Sequence, residues 1–442
     1  MTVDPVATVA APEPARLQRI TEHLRSPLHR NGYALVLSTF SNAGLGALYW
    51  ALAARKFPLA VVGIGGSVIA SMQLLTNLSS LNFTDVLNRF VPVSGAATKR
   101  LVLLSYGIAV GLGLVSAVIF LAGLNLWTPR LRETIHGPGL FAVYIASVML
   151  WIIFVLQDAV LIGVRRASYV LVENSGYGVM KIVLLFMFAS AIPKSAIFLS
   201  WVAPLIVVVP VINLMVFGSL VPHHVERTRE IAEPITRDII GRFLMVDYVS
   251  SMLWTAAIAL TPIIVLAISG AGASGYVYIA WTIAYTLVLV SRNMGQSLTT
   301  EGAQEPERLF EHTRATLIAS ARIVVPLAAV LILIAHPLLT HVFKPEYGPG
   351  TTVLRLFALS TIPAMVPLTF VTVARVQRRL LAMVVVTALT TVPVLVLAPI
   401  LMHLWGVNGM GYAWLIVQTV GAIALLLGEL RPHWRTPPVA AS

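Results

Sequence analysis

Charged side chains inside long apolar stretches are the residues of this sequence that could carry out chemistry. Lys181 is the clearest of them, and Tyr177 and Glu173 precede it by four and eight residues. This spacing places all three on one face of a helix. An ionisable group in mid-membrane costs roughly 2.5–3.5 kcal/mol, so it is by default a functional residue. Lys181 is therefore either a cavity cation that attracts an anion or one half of a Lys–Glu pair between helices.

Two further apolar stretches carry polar stripes. The first holds Gln73, Asn77 and Ser80 at helical spacing, followed by Arg89. A polar stripe should face water or a partner helix, because lipid cannot satisfy its hydrogen-bonding groups. We therefore expect this stripe to line a cavity.

The second stripe places Tyr278, Thr282, Tyr285 and Arg292 on one helical face. We expect it to line the same cavity as the first. Arg292 lies near the end of its stretch, so its alternative is to extend toward the lipid headgroups.

One more pair of charges opens the stretch that precedes this stripe. Asp247 follows Arg242 by five residues. Asp247 and Glu173 are candidates for a proton or sodium site, with pairing between helices as the alternative. Arg242 is a candidate cavity cation beside Lys181, Arg89 and Arg292.

Composition places these residues in a membrane. Of the 442 residues 58% are hydrophobic and 11% are charged, and the mean hydropathy is +0.87. A soluble domain is about a quarter charged. The absence of cysteine excludes disulfides and thiolate chemistry. Although the net charge is +12, the basic residues are scattered between apolar runs, which argues against a nucleic-acid partner.

The apolar runs predict an all-α membrane protein with about twelve transmembrane helices. The predicted spans are 32–54, 61–83, 101–126, 139–163, 169–191, 196–220, 242–268, 274–298, 317–335, 351–374, 380–402 and 408–429.

The basic residues predict the orientation. Loops on one side contain only Arg55, Lys56, Arg130, Arg132, Lys194 and Lys344, while the other side holds most of the remaining Lys and Arg. Basic loops stay in the cytoplasm. We therefore expect a multi-pass protein of the plasma (inner) membrane with both termini cytoplasmic.

The most polar loop divides the chain into two sets of six spans, which predicts parallel repeats around a central cavity. Gly63 and Gly275 are expected to mark equivalent hinges between the first two spans of each half. The expected organisation is a cytoplasmic tail with an amphipathic segment (1–31), a first six-helix lobe (32–220), a cytoplasmic linker (221–240), a second six-helix lobe (241–430) and a cytoplasmic tail (431–442).

Enzyme motifs are missing from the sequence. There is no Walker loop, no HExxH peptidase motif and no sizeable loop on the side with few basic residues. We therefore expect a protein that moves a substrate, without a cofactor and without a metal site, rather than an enzyme.

Several segments resemble a known family along nearly the whole chain. They are residues 31–63 (beginning NGYALVLSTF), LNFTDVLNRFVP at 81–92, QDAVLIGVRRASYVLVEN at 157–174, 343–379 (beginning FKPEYGPGTT) and WGVNGMGYAWLIVQ at 405–418. They resemble the lipid-linked oligosaccharide flippases, O-antigen translocase-like polysaccharide biosynthesis proteins of the multidrug/oligosaccharidyl-lipid/polysaccharide exporter (MOP) superfamily.

The resemblance implies a V-shaped, MATE-like fold of two six-helix bundles with alternating access. It also implies a polyprenyl-diphosphate-linked glycan moved from the inner to the outer leaflet, with membrane lipid and envelope glycan-assembly proteins as partners. Cavity cations would engage the diphosphate, and Lys181, Arg89, Arg292 and Arg242 match that role. Aromatic rings at Tyr177, Tyr278, Tyr285 and Trp254 would suit sugars.

Two other functions stay open from the residues. A cation-coupled multidrug or metabolite exporter would need deep acids, and Asp247, Glu173 and Asp158 keep it open. A non-transporting scaffold of an envelope assembly would have an uncharged cavity, which Lys181 argues against.

Overall fold

Helices form all the regular structure in the described part of the chain. The computed structural model describes residues 27–229, 237–304 and 306–428. Within these ranges the prediction of an all-α protein is confirmed. The long helices are α1 (Pro27–Lys56), α2 (Leu59–Ser80), α3 (Thr98–Ala122), α4 (Gly137–Gly163), α5 (Ala167–Ala191), α6 (Ala196–Thr228), α7 (237–269), α8 (271–304), α9 (Leu309–Phe343), α10 (Thr351–Val376), α11 (Leu380–Trp405) and α12 (Asn408–Leu427).

Length and composition make this a multi-pass membrane protein. Ten helices among the described residues are long and apolar enough to cross a membrane. One of them, Tyr248–Gly295, is interrupted by Gly270, whose φ of 92° and ψ of 175° separate α7 from α8. With α1, the described chain contains twelve long helices, at nearly the predicted bounds.

Two helices extend beyond their predicted spans. Helix α1 starts at Pro27, five residues before the predicted span at 32, and residues 1–26 lie outside the described part. Helix α6 continues past residue 220 to Thr228, because Val221, His224 and Thr228 are buried on one helical face. The His224 ring nitrogen Nε2 lies 2.9 Å from the Val91 carbonyl oxygen. The C-terminal tail from 431 lies outside the described residues.

The turns after α4 and α10 share one hydrogen-bonding pattern. Arg165 (φ 60°) and Arg378 (φ 57°) are left-handed. In each turn the following arginine donates its N–H to a carbonyl five residues earlier, Arg166 to Leu161 and Arg379 to Ala374, both at 2.8 Å. This is the Schellman ending of a helix. The same turn, carrying the same two arginines, therefore recurs 213 positions later (165 and 378).

Helices α2 and α8 cross closely through small residues. A Cβ on Gly63 would collide with the backbone of Ala271 and Gly275, and a Cβ on Gly275 would collide with the Leu59 carbonyl. Leu59 and Ala271 are 212 positions apart, and so are Gly63 and Gly275. Each half of the chain therefore contributes equivalent positions to the crossing. Small residues let helix backbones approach in this way.

The prediction that Gly63 and Gly275 are hinges is wrong. Both lie inside continuous helix, and the chain reverses instead at Pro58 before α2 and at Gly270 before α8. The glycines are needed for the close approach of two helices rather than for a bend.

Candidate functional site

A cavity of about 680 Å³ lies between the two halves of the chain. It is bounded by α1, α2, α4, α6, α7 and α8 and by the segment after α2. Its aromatic lining is Trp50, Trp151, Trp201, Trp254, Tyr278, Trp281 and Tyr285, and its polar lining is Gln73, Asn77, Ser80, Asn82, Thr84, Asp85, Ser251, Thr255, Thr282 and Arg292.

Both polar stripes face this cavity. On α2, Asn77 donates to the Gln73 carbonyl at 2.8 Å and Ser80 donates to the Thr76 carbonyl at 2.6 Å. On α8, Thr282 donates to the Tyr278 carbonyl at 2.8 Å. These side chains satisfy their donors on their own helices, and their oxygens can still accept hydrogen bonds from a ligand.

A smaller recess of about 110 Å³ opens beside the cavity between α7, α8, α10 and α11. Arg292 lines both spaces, and Arg375 lines the recess. The recess also contains hydroxyl groups, those of Ser250, Ser251, Thr372, Thr387 and Thr390. Among the described residues no acidic side chain lines it. Two guanidinium groups and several hydroxyls favour an anion such as a phosphate.

Trp254 joins the cavity to this recess. Its side chain lines both spaces and is 91% buried, since 9% of its surface is exposed. The indole Nε1–H has no hydrogen-bond partner among the described residues. A buried donor without an acceptor costs free energy, so the indole of Trp254 is an unsatisfied group at the junction of the two spaces.

Lys181 lies behind the cavity wall. Its Nζ is 4.5 Å from the ring centroid of Trp201 and 5.3 Å from those of Tyr49 and Tyr177. Trp201 lines the cavity, while Lys181 is 93% buried, with 7% of its surface exposed. The Tyr177 hydroxyl donates to the Trp201 carbonyl at 3.0 Å. Neither Lys181 nor Tyr177 lines the cavity in this conformation.

The alternative Lys181–Glu173 pair is absent from the described structure. Glu173 accepts a hydrogen bond from Gln157, which in turn accepts one from Asn213. Two residues on the same helical face thus have different surroundings, because rings of α1 and α6 cover Lys181 whereas Glu173 is hydrogen-bonded to α4. Periodicity specified the shared face but not these neighbours.

Glu173 belongs to a buried acidic cluster between α4, α5 and α6. Asp158 accepts from the Asn174 amide at 3.0 Å. Oxygen Oε2 of Glu173 is buried and has no hydrogen-bond partner among the described residues. Two neighbouring carboxyl groups, each accepting a hydrogen bond from an amide, suit a proton or a monovalent cation.

The remaining predicted residues are Arg89, Arg242 and Asp247. Arg89 lies on the short helix Phe83–Phe90, with its guanidinium carbon 5.8 Å from the Phe90 ring centroid. Of that helix, Asp85 lines the cavity and Arg89 does not. Arg242 and Asp247 lie in α7, and their side chains are outside the described part of the structure.

Basic residues close the bundle at the end opposite the arginine-rich turns. Arg55 donates from Nε to the Val342 carbonyl at 2.8 Å. Arg130 donates from Nη1 to the Leu266 carbonyl at 2.6 Å, and the Lys344 Nζ donates to the Phe57 carbonyl at 3.4 Å. Three of the six cations that the sequence places on this side therefore bind backbone carbonyls across the two halves.

Comparisons with solved structures give high similarity over nearly the whole chain. An inward-facing multidrug resistance MATE family transporter of the MOP superfamily matches with a TM-score of 0.68 at 14% identity, covering 92% of this chain and 99% of that one. The lipid II flippase MurJ, in an inward closed conformation, matches with a TM-score of 0.63 at 10% identity, covering 89% and 87%.

The chain has the fold of these transporters. An outward-facing MATE family transporter of the same superfamily also matches, with a TM-score of 0.56 at 14% identity, covering 94% of this chain and 98% of that one. No protein-family model and no curated protein sequence matches the chain. The predicted MATE-like fold is therefore confirmed at the level of three-dimensional structure.

Sequence reasoning missed several lining residues. Trp50, Trp151, Trp201 and Trp281 surround the cavity, and Arg375 lines the recess. The concentration of Trp in the spans was a usable signal, because a ring with one polar edge suits a wet cavity wall. Nothing in the spacing of Arg375 separates it from the other basic residues at helix ends.

Proposed function

We propose that the chain is a flippase that moves a polyprenyl-diphosphate-linked oligosaccharide or related glycolipid from the inner to the outer leaflet of the plasma membrane. The observation that carries the proposal is the lining of the cavity. Seven aromatic side chains, several amides and hydroxyls, the cation Arg292 and the carboxylate Asp85 line it. Flat apolar rings suit sugar faces, while amides and hydroxyls substitute for the water around a glycan.

The recess supports a place for the diphosphate. Arg292 and Arg375 line it together with five hydroxyl side chains. Guanidinium groups bind phosphate oxygens in pairs. A headgroup with its sugars in the cavity would have its diphosphate beside Arg292, because Arg292 borders both spaces. The lipid chain stays in the bilayer.

Closure at one end supports alternating access. The α2–α8 crossing and the Arg55 and Arg130 hydrogen bonds all lie at the end with few basic loops. If basic loops are cytoplasmic, the closed end is the outer one and the cavity loads from the inner leaflet. The higher similarity to the inward-facing MATE transporter agrees with this orientation. Surface polysaccharide synthesis would use such a step, together with envelope glycan-assembly proteins.

Substitution of Arg292 tests the proposal. In cells depleted of other copies of the activity, Arg292→Ala should accumulate polyprenyl-linked glycan on the inner leaflet, and Arg292→Lys should restore part of the transport. One charge-assisted hydrogen bond is worth about 1.5–3 kcal/mol, so we expect a loss of roughly 10- to 100-fold. Arg100→Ala is the matched control, since Arg100 is exposed at the same end and lines neither space. Normal glycan traffic in an abundant Arg292→Ala protein would contradict the proposal.

The buried acidic cluster favours a second function, a cation-coupled drug or metabolite exporter on the same fold. Glu173 is buried and Asp158 is partly buried, each accepts a hydrogen bond from an amide, and Glu173 Oε2 lacks a partner among the described residues. For this function, Glu173→Gln should abolish proton- or sodium-dependent efflux of a cationic substrate. A flippase without such coupling would keep glycan transport in that variant.

A further inference from the structure

A second basic pocket lies outside the central cavity, on the first half of the chain. Its volume is about 220 Å³, and it lies between the α4–α5 turn and the last turns of α6. Its polar lining is Arg166, Ser219, His223, His224 and Arg227. We call this site the α6 basic pocket.

Like charges are gathered around this pocket without a counter-charge in its lining. Arg165 and Arg227 both lie close to His224. Arg166 and Arg227 line the pocket, and no described acidic side chain does. Glu226 is adjacent in the sequence but does not belong to the lining. Cations placed this close repel one another, and an anion bound among them would relieve the repulsion.

The local backbone departs from regular helix where it forms the pocket. The residues Val216–Leu220 form a π-helical turn, which contributes Ser219 and Leu220 to the lining. Such turns are rare in proteins, and those that do occur often lie at functional sites. The His224 ring nitrogen Nε2 lies 2.9 Å from the Val91 carbonyl oxygen, so this wall of the pocket is fixed to the segment that follows α2.

Exposed apolar side chains lie on α6 before this pocket. Ile206, Val207, Val211 and Leu214 are all more than half exposed. Leu214 is five residues before Ser219, or about 7.5 Å of helix rise. In a membrane, lipid chains would cover these side chains, and the headgroups of lipids packed against α6 would lie at the level of the pocket.

We propose that the α6 basic pocket binds the phosphate group of an anionic phospholipid whose chains lie along α6. Basic pockets between membrane helices on the cytoplasmic side are suited to such headgroups. The proposal does not depend on the transported substrate, because the pocket shares no lining residue with the cavity or the recess.

The equivalent turn in the second half provides a matched control. Arg378 and Arg379 have the same sequence, the same left-handed residue and the same hydrogen bonds as Arg165 and Arg166. Neither Arg378 nor Arg379 lines the α6 basic pocket. Neutralising Arg378 and Arg379 removes two positive charges, as many as neutralising Arg166 and Arg227, but leaves the lining of the α6 basic pocket unchanged.

The test is lipid binding to the purified full-length protein in neutral detergent, followed by native mass spectrometry. Phosphatidylglycerol, phosphatidylcholine and inorganic phosphate are titrated separately. Wild type should retain phosphatidylglycerol in preference to phosphatidylcholine. The double variant Arg166→Gln, Arg227→Gln should bind phosphatidylglycerol roughly 25-fold more weakly, since each arginine contributes a factor of about five. Arg378→Gln, Arg379→Gln should change the affinity less than twofold.

Three results would overturn the proposal. Equal losses in the two double variants would mean that the lipid responds only to the overall charge of this end. Unchanged phosphatidylglycerol binding in the Arg166→Gln, Arg227→Gln protein would remove the site itself. Inorganic phosphate that binds as tightly as the lipid and displaces it would make the occupant a soluble anion. Thermal unfolding of each variant verifies that all proteins compared are folded.

Discussion

At the scale of single residues, the structure explains how a lysine persists inside the membrane. The Lys181 ammonium lies over three aromatic rings, and these rings replace part of the water that the charge would lose. Two of the rings are themselves fixed, since the Tyr49 hydroxyl lies 2.8 Å from Ser200 and Tyr177 donates to the Trp201 carbonyl. Lys181 is thus enclosed one ring away from the cavity.

Removing that ring should expose the lysine. Trp201→Ala is expected to increase modification of Lys181 by a water-soluble amine reagent severalfold, because the Trp201 side chain lies between the ammonium and the cavity. Peptide mass spectrometry of the labelled protein measures this directly. Trp281→Ala is the control, since Trp281 lines the same cavity and makes no described contact with Lys181. Equal labelling of Lys181 in the two variants would contradict this placement.

At the scale of helices, the α2–α8 crossing is the contact that defines the closed end. Gly63 and Gly275 have no space for a Cβ, because the opposing atoms belong to the backbone. Ser67 and Ser274 lie next to them, with their hydroxyl oxygens 3.1 Å apart. Backbone cannot move aside as a flexible side chain can, so any added methyl group must separate the helices.

Gly63→Ala should therefore open this end of the bundle. In a protein with the single cysteine Ser274→Cys, which is easy to prepare because the chain has none, labelling by a membrane-impermeant thiol reagent should rise severalfold with Gly63→Ala. Gly111→Ala on α3 is the control, since nothing lies within 4 Å of a Cβ there. That control should leave labelling unchanged and raise stability by about 0.5–1 kcal/mol. Unchanged labelling of the Gly63→Ala protein would show that the added methyl group does not separate α2 from α8 at this end.

At the scale of the whole molecule, the two halves contact each other through equivalent positions. Moving each residue of the Leu59–Gly275 contact to its equivalent position, 212 residues away in the other half, gives the Gly63–Ala271 contact. The arginine turns are likewise 213 residues apart. Two related halves packed closely at this end, with a cavity between them, form the arrangement expected for alternating access. The predicted lobe limits at 220 and 241 stay a prediction.

A cross-link at the closed end should stop the transport cycle. We expect Ser67→Cys with Ser274→Cys to form a disulfide under oxidising conditions, because the two side chains already meet. Glycolipid transport should then fall to background and recover with a reductant, since the closed end can no longer open. Each single-cysteine variant should retain transport in both conditions. Undiminished transport in fully cross-linked protein would exclude opening at this end.

The sequence by itself determined the spans, their helical form and the polar faces of α2 and α8. These properties are local, because a bilayer requires about 20 apolar residues for each crossing and leaves helix as the conformation that satisfies their backbone. Gln73, Asn77 and Thr282 were therefore assigned to a cavity wall from spacing alone, and they lie on one.

Only the tertiary structure decided which predicted charges reach that cavity. Arg292 lines it, while Lys181 on α5 is covered by Trp201 of α6 and Tyr49 of α1, and Glu173 on the same face is enclosed by α4 and α6. The recess that Arg292 shares with Arg375 brings together residues more than 80 positions apart. Periodicity gives the direction of a side chain from its own helix. Its environment depends on which other helices pack against that face, and packing is a property of the whole chain.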